Sequence, residues 1–233
     1  MNVAQLLKRG LSGLITTASG TRLSAEGSDG EAPEFPPQAI YFANHSSHLD
    51  FVTLWAIMPT ALQPKVRPIA AADYWGSGIK RSVATGIFNA HLVHRFKDRP
   101  HTPAGARPSR QTDAGSSPKT SQLTGMTDIL DAGESLIIFP EGTRGPGDQV
   151  ATFQAGLYRL AKHAPEVPVV PVTLKNLNRI LPKGEAIPVP RLSQVIVHQP
   201  LFVGDNESQE DFLSRARGVL AAQLATDTEG DTA

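Results

Sequence analysis

Residues 39–50 read AIYFANHSSHLD: a short apolar run, a polar turn, and then FVTLWAIMPTAL (51–62), a longer apolar stretch of helical length. The first run carries Ile, Tyr and Phe and has strand length, so the segment reads as a strand that turns into a helix. The same order recurs. Runs of strand length stand at 39–44, 66–71, 90–95, 135–140, 167–174 and 193–201, and helical periodicity fills 47–62, 74–85, 121–131, 153–163 and 208–224. This alternation predicts an α/β fold, a single domain whose central sheet is largely parallel or mixed and is flanked by helices.

The chain has 233 residues, 40% of them hydrophobic and 19% charged, enough to bury one core of that size. Residues 39–226 are expected to form the domain, with 97–120 as a flexible loop insertion rich in Pro, Gly and Ser. Residues 26–38 read as a linker and 227–233 as a disordered acidic tail. Residues 1–25 read as a short amphipathic helix, with Val3, Leu7, Leu11, Leu14 and Ile15 near one face. Docking on its own domain and lying on a membrane surface both fit this pattern. No window reaches the roughly 20 apolar residues of a spanning helix.

Twenty-two basic and 22 acidic residues balance, so bulk attraction to nucleic acid is not expected. The charge is nonetheless segregated. Lys65, Arg67, Lys80, Arg81, Arg95, Lys97, Arg99, Arg107 and Arg110 face only Asp73 and Asp98 within that span, whereas acids dominate after Gly204. The absence of cysteine excludes disulfides, thiolate metal sites and a cysteinyl intermediate.

Two constellations carry chemistry. In NHSSHLD (44–50), His45 and Asp50 lie five apart, which on one continuous helix would turn them about 140° away from each other. They meet if His45 precedes a helix capped by Ser46 or Ser47 and Asp50 lies in its first turn. Asp50 then accepts from one ring nitrogen and the other is left to take a proton. The spacing alone is weak evidence, since seven histidines give some His-x4-Asp by chance in roughly one chain in three. In FPEGTRG (139–145), a carboxylate, a glycine and a guanidinium follow a strand, at the edge where open α/β sheets bind ligands. Arg144 suits a phosphate, and Gly142 permits a tight turn; a Glu141–Arg144 surface ion pair is the plainer alternative.

Taken together, NHSSHLD and FPEGTR some ninety residues later resemble the two principal blocks of the glycerolipid acyltransferases typified by 1-acyl-glycerol-3-phosphate (lysophosphatidic acid) acyltransferase. GIFNAHLVHR (86–95), FQAGLYRLA (153–161) and VPVVPVTL (167–174) fall in the family's order, so the resemblance spans roughly 39–174. It implies that His45 is the general base and Asp50 its orienting partner, and that Arg95, Glu141, Gly142, Thr143 and Arg144 hold the phosphate and polar head of the acyl acceptor. It implies direct transfer from acyl-CoA or acyl-carrier protein to a lysophospholipid, without cofactor or metal, by an enzyme peripheral on the cytoplasmic inner face of the cell membrane. Pro171 would be structural or acyl-facing. The chain departs from the family at Asp73 and Gln154, where lysine is common, and at Gly145, where serine is usual; these bear on the identity of the acceptor.

Rival readings are a different lysolipid acceptor, a catalytically silent lipid-binding relative and a serine hydrolase. No Gly-x-Ser-x-Gly occurs for the last. His45, His48 and Asp50 span a turn, and His91 with His94 alternates on a strand, so neither group reads as a metal site.

Overall fold

The computed structural model describes residues 20–26, 33–47, 50–93, 118–177 and 193–226, together with Gly10 and Gly13. Among these residues seven strands form one sheet: β1 (Thr21–Ala25), β2 (Ile40–Ala43), β3 (Val66–Ala71), β4 (His91–Val93), β5 (Ser135–Ile138), β6 (Val169–Lys175) and β7 (Ser193–Val197). Their spatial order is β1-β7-β6-β2-β5-β3-β4. All neighbours are parallel except β6 and β7, so the sheet is mixed by a single antiparallel step.

The helices are α1 (Asp50–Ile57), α2 (Ala72–Trp75), α3 (Gly78–Gly86), α4 (Pro118–Asp131), α5 (Gly156–His163) and α6 (Gln209–Ala225). Alternation along β2 shows how they cover the sheet. Ala39, Tyr41 and Ala43 join a core with Leu54 and Trp55 of α1, whereas Ile40 and Phe42 join a second core with Leu157, Leu160, Phe212 and Leu220 of α5 and α6. Both faces are therefore dry, which explains why the central strands read as continuous apolar runs. Edge-to-face rings lock each side: Trp55 and Phe51 both meet Phe88, at 5.1 and 5.7 Å, and Phe42 meets Phe153 at 5.8 Å.

Local chemistry agrees with these boundaries. Ser208 caps α6, its Oγ accepting from the Asp211 N–H at 3.1 Å, and Glu210 and Asp211 occupy the positive end of the helix dipole. Pro171 lies buried inside β6, and its carbonyl accepts from the His198 N–H at 3.0 Å.

Three expectations change. Thr21–Ala25, read as the end of an N-terminal helix, form the edge strand β1, paired in parallel with β7, and the Glu26 N–H extends the pairing to the Val197 carbonyl at 2.9 Å. The domain therefore includes residues well before position 39. A polar, half-buried edge strand such as TRLSA has no apolar run to betray it. Second, α4 opens at Pro118, inside the stretch read as loop 97–120; proline suits the first helical position because no N–H is needed there. Third, α1 ends at Ile57 rather than running on to Leu62, and Pro59 follows shortly after. Gly10 and Gly13 are helical. The rest of residues 1–19, most of the 97–120 loop and the tail 227–233 lie outside the described residues. No helix among the described residues is long and apolar enough to cross a membrane.

Candidate active site

Because β2 and β5 are parallel and in register, with Phe42 opposite Ile138, their carboxyl ends finish side by side, while β6, parallel to β2 with Val172 opposite Ala43, runs on to Lys175. The segment 44–50 leaves β2 there, and 139–145 leaves β5 beside it. The two constellations, far apart in sequence, are brought to one edge of the sheet, the edge at which open α/β sheets place ligands.

Asn44 sets the exit from β2. Its side chain is buried and carries the ladder onto β6, with Nδ2 donating to the Leu174 carbonyl at 2.9 Å and Oδ1 accepting from the Leu174 N–H at 2.8 Å. An amide is the one side chain that copies a peptide group's donor and acceptor. The next residue, His45, is consequently delivered at a set height above the sheet.

His45 Nδ1 lies 2.8 Å from Asp50 Oδ2, and the Asp50 side chain is wholly buried. The same oxygen accepts from the backbone N–H groups of Ser46 at 2.7 Å and Ser47 at 2.8 Å. An oxygen that already receives two N–H donors is acting as a carboxylate acceptor, so the imidazole meets it with Nδ1–H. In the neutral ring Nε2 then carries the lone pair. The Phe139 ring stacks on the imidazole, with centroids 4.4 Å apart and planes 24° from parallel, which restrains its rotation.

The backbone of His45 is held as firmly as its ring. Its N–H donates to Glu141 Oε1 at 2.8 Å, and its carbonyl accepts from the Gly145 N–H at 2.8 Å. Glu141 Oε2 accepts from the Ala151 N–H at 3.0 Å. The FPEGTRG loop thus clamps His45. Glu141 is buried with both oxygens engaged by main chain.

The loop turns through Gly142, whose N–H donates to the Phe139 carbonyl at 3.1 Å and whose φ is 72°. This left-handed conformation suits glycine. Gly142, Thr143 and Arg144 are exposed, and Arg144 makes no ion pair with the described residues, so the Glu141–Arg144 pair considered from sequence does not form. Arg95 and His48 lie outside the described residues. Sequence reading overlooked Asn44, Phe139 and the peptide N–H groups of Gly145 and Ala151. A polar residue closing a buried strand was the available signal for Asn44; the others had none, because they act through backbone or through contact across the fold.

Chemically, the site offers a buried carboxylate, an imidazole oriented by it with one free basic nitrogen, and a neighbouring exposed loop with a guanidinium. A family model described as Acyltransferase matches residues 30–175. A chloroplastic 1-acyl-sn-glycerol-3-phosphate acyltransferase of Brassica napus, BAT2, is 28% identical over 194 residues, covering 82% of this chain and 48% of that protein. The corresponding LPAT1 of Arabidopsis thaliana is also 28% identical over 194 residues, covering 82% of this chain and 46% of that protein. The chain spans about half the length of these curated relatives. The crystal structure of the 1-acyl-sn-glycerophosphate (LPA) acyltransferase PlsC from Thermotoga maritima superposes with a TM-score of 0.69 at 19% identity, covering 96% of this chain and 79% of that one. The two share their fold.

Proposed function

The chain belongs to the acyltransferase family, and from that membership we propose that it moves a fatty acyl group from a thioester donor, acyl-CoA or acyl-carrier protein, to the free hydroxyl of a lysophospholipid. The acceptor proposed is 1-acyl-glycerol-3-phosphate and the product phosphatidic acid, the acceptor for which the relatives above are named. The observation that carries this reading is the convergence of His45 Nδ1, Ser46 N–H and Ser47 N–H on Asp50 Oδ2, which leaves Nε2 as a base facing away from the carboxylate.

In this scheme His45 Nε2 takes the hydroxyl proton as the hydroxyl oxygen attacks the thioester carbonyl carbon. The C–O bond forms, the tetrahedral oxyanion collapses with cleavage of the C–S bond, and the imidazolium returns its proton to the departing thiolate. Asp50 keeps the tautomer and stabilises the imidazolium, as a buried carboxylate does in other base-assisted transfers. Glu141 holds the His45 backbone, so that the base meets the hydroxyl at a set position. Gly142, Thr143 and Arg144 present donors to the phosphate of the acceptor, with Arg144 as the exposed cation. The scheme needs no cofactor, the thioester being a substrate. An enzyme acting on lysolipid from the inner face of the cell membrane would do so as a peripheral protein.

The test is release of free thiol from palmitoyl-CoA by the purified chain, with and without lysophosphatidic acid, beside His45→Ala. Release that requires both the lysolipid and His45 is expected. Release without lysolipid would replace the reading by thioester hydrolysis, and full activity in His45→Ala would overturn it.

A further inference from the structure

The first turn of α3 stands apart from the rest of the surface. Gly78, Ile79, Lys80, Arg81 and Ser82 are five consecutive exposed residues, and Ile79 is 84% exposed, the most open of the large apolar side chains among the described residues. An isoleucine held in water adds nothing to folding, whereas one placed in an apolar phase recovers its whole transfer free energy. Its neighbours are cations. Lys80 Nζ lies 3.8 Å over the Tyr74 ring, and neither Lys80 nor Arg81 meets a carboxylate among the described residues. Across 72–86 the one acid is the exposed Asp73.

The turn is tied to the catalytic pair. Tyr74 packs on Trp75 at 5.3 Å, and Trp75 packs edge-on against Phe51 at 5.1 Å, the residue directly after Asp50. β3 runs parallel to β5 and so delivers α2 and α3 to the edge of the sheet where β2 and β5 end. An apolar tip with a cationic rim and an amphipathic aromatic therefore stands at the same edge of the sheet as His45.

From this arrangement we infer that the α2–α3 segment docks the enzyme on an anionic lipid surface, with Ile79 inserted among the acyl chains and Lys80 and Arg81 at the headgroups. The inference rests on the proposed lysolipid acceptor and names the face through which that acceptor is reached. A lipid bilayer fits better than a protein. The patch is a handful of side chains, where a stable protein interface takes about 20–30 residues a side. Its Lys and Arg stems let the charges stay at the headgroups while Ile79 goes deeper, and Tyr74 is of the type that settles at that boundary.

The test uses the full chain and co-sedimentation with phosphatidylcholine vesicles with and without phosphatidylglycerol. Ile79→Ser is expected to weaken binding roughly tenfold on both vesicles. The Lys80→Ala/Arg81→Ala variant is expected to lose about fivefold per cation on the anionic vesicles alone. Lys162→Ala, at the end of α5 away from the site, serves as control and should bind as the unsubstituted chain does. Thiol release with the lysolipid dispersed in detergent should be unchanged in all three. Binding that is absent in the unsubstituted chain, or unaltered by the α3 variants, overturns the surface while leaving acyl transfer standing. Lysolipid-dependent thiol release that is absent while vesicle binding depends on α3 overturns the reaction instead. A change from dimer to monomer in Ile79→Ser by sedimentation velocity would make the patch a contact between copies and overturn the lipid assignment.

Discussion

The backbone N–H of His45 donates to Glu141 Oε1 at 2.8 Å across 96 positions of sequence. Through this bond the second constellation supports the first: Glu141 holds the His45 backbone, and Arg144 stays exposed. In the proposed reaction Glu141 would position the base and Arg144 would face the acceptor. Replacing each should therefore alter different kinetic constants. Glu141→Ala is expected to lower kcat about a hundredfold or more, with KM for lysolipid nearly unchanged, since loss of positioning acts on the reacting geometry. Arg144→Ala is expected to raise KM for the phosphorylated acceptor, with the smaller effect on kcat. Equal rises in KM in both variants would return Glu141 to the substrate.

Asp50→Asn keeps the shape of the side chain but changes its chemistry. If the amide NH2 takes the Oδ2 position it faces the Ser46 and Ser47 N–H groups, and if the amide oxygen takes it the imidazolium loses its counter-charge. A loss in kcat on the order of 10³-fold is expected, read by single-turnover thiol release beside a circular dichroism check of folding.

Asn44→Ala strips two hydrogen bonds from the Leu174 peptide and leaves its N–H and carbonyl buried and unmatched. The expected cost is about 2–4 kcal/mol of stability, from about 1–3 kcal/mol for each orphaned group with partial relaxation. Because Asn44 immediately precedes His45, kcat should fall as well, at temperatures where the variant is still folded. Urea unfolding together with thiol release separates the two effects.

His198 gives the folded chain a pH dependence. Its pKa is lowered chiefly by burial; the Glu26 carboxylate, 3.2 Å from Nδ1, opposes this shift, and Lys175 reinforces it. A histidine whose folded pKa lies below its unfolded one contributes stability that is complete above the unfolded value, about 6.5, and is lost as pH falls toward the folded value. Thermal unfolding should therefore show a falling Tm below about pH 6.5. His198→Gln should flatten that limb, and Glu26→Gln should steepen it by removing the opposing charge. Thr173 Oγ1, 2.8 Å from Nε2, is the other polar group on the ring and stays in place in both variants.

The bidentate pair of Arg67 and Glu134, at 2.6 and 2.8 Å, joins β3 to the turn before β5. Both side chains remain partly open to solvent, so Arg67→Ala should cost only about 1 kcal/mol and less at high salt, as chemical denaturation at two ionic strengths would show.

The sequence by itself determined the alternation of strands and helices, the placement of the central strands and the identity of the pair His45 and Asp50. These are local properties. A strand buried on both faces is apolar nearly throughout, as 40–43 and 136–138 are, and a turn before a helix brings residues five apart together with no help from elsewhere. Tertiary structure alone decided that Glu141 holds His45, that Asn44 continues the ladder onto β6, and that Thr21–Ala25 closes one edge of the sheet against β7. Each of these depends on a partner 96, 130 or 172 positions away. At such separations a carboxylate, an amide or a polar edge strand carries no local pattern that tells a backbone clamp from a substrate contact, and the folded geometry makes the distinction.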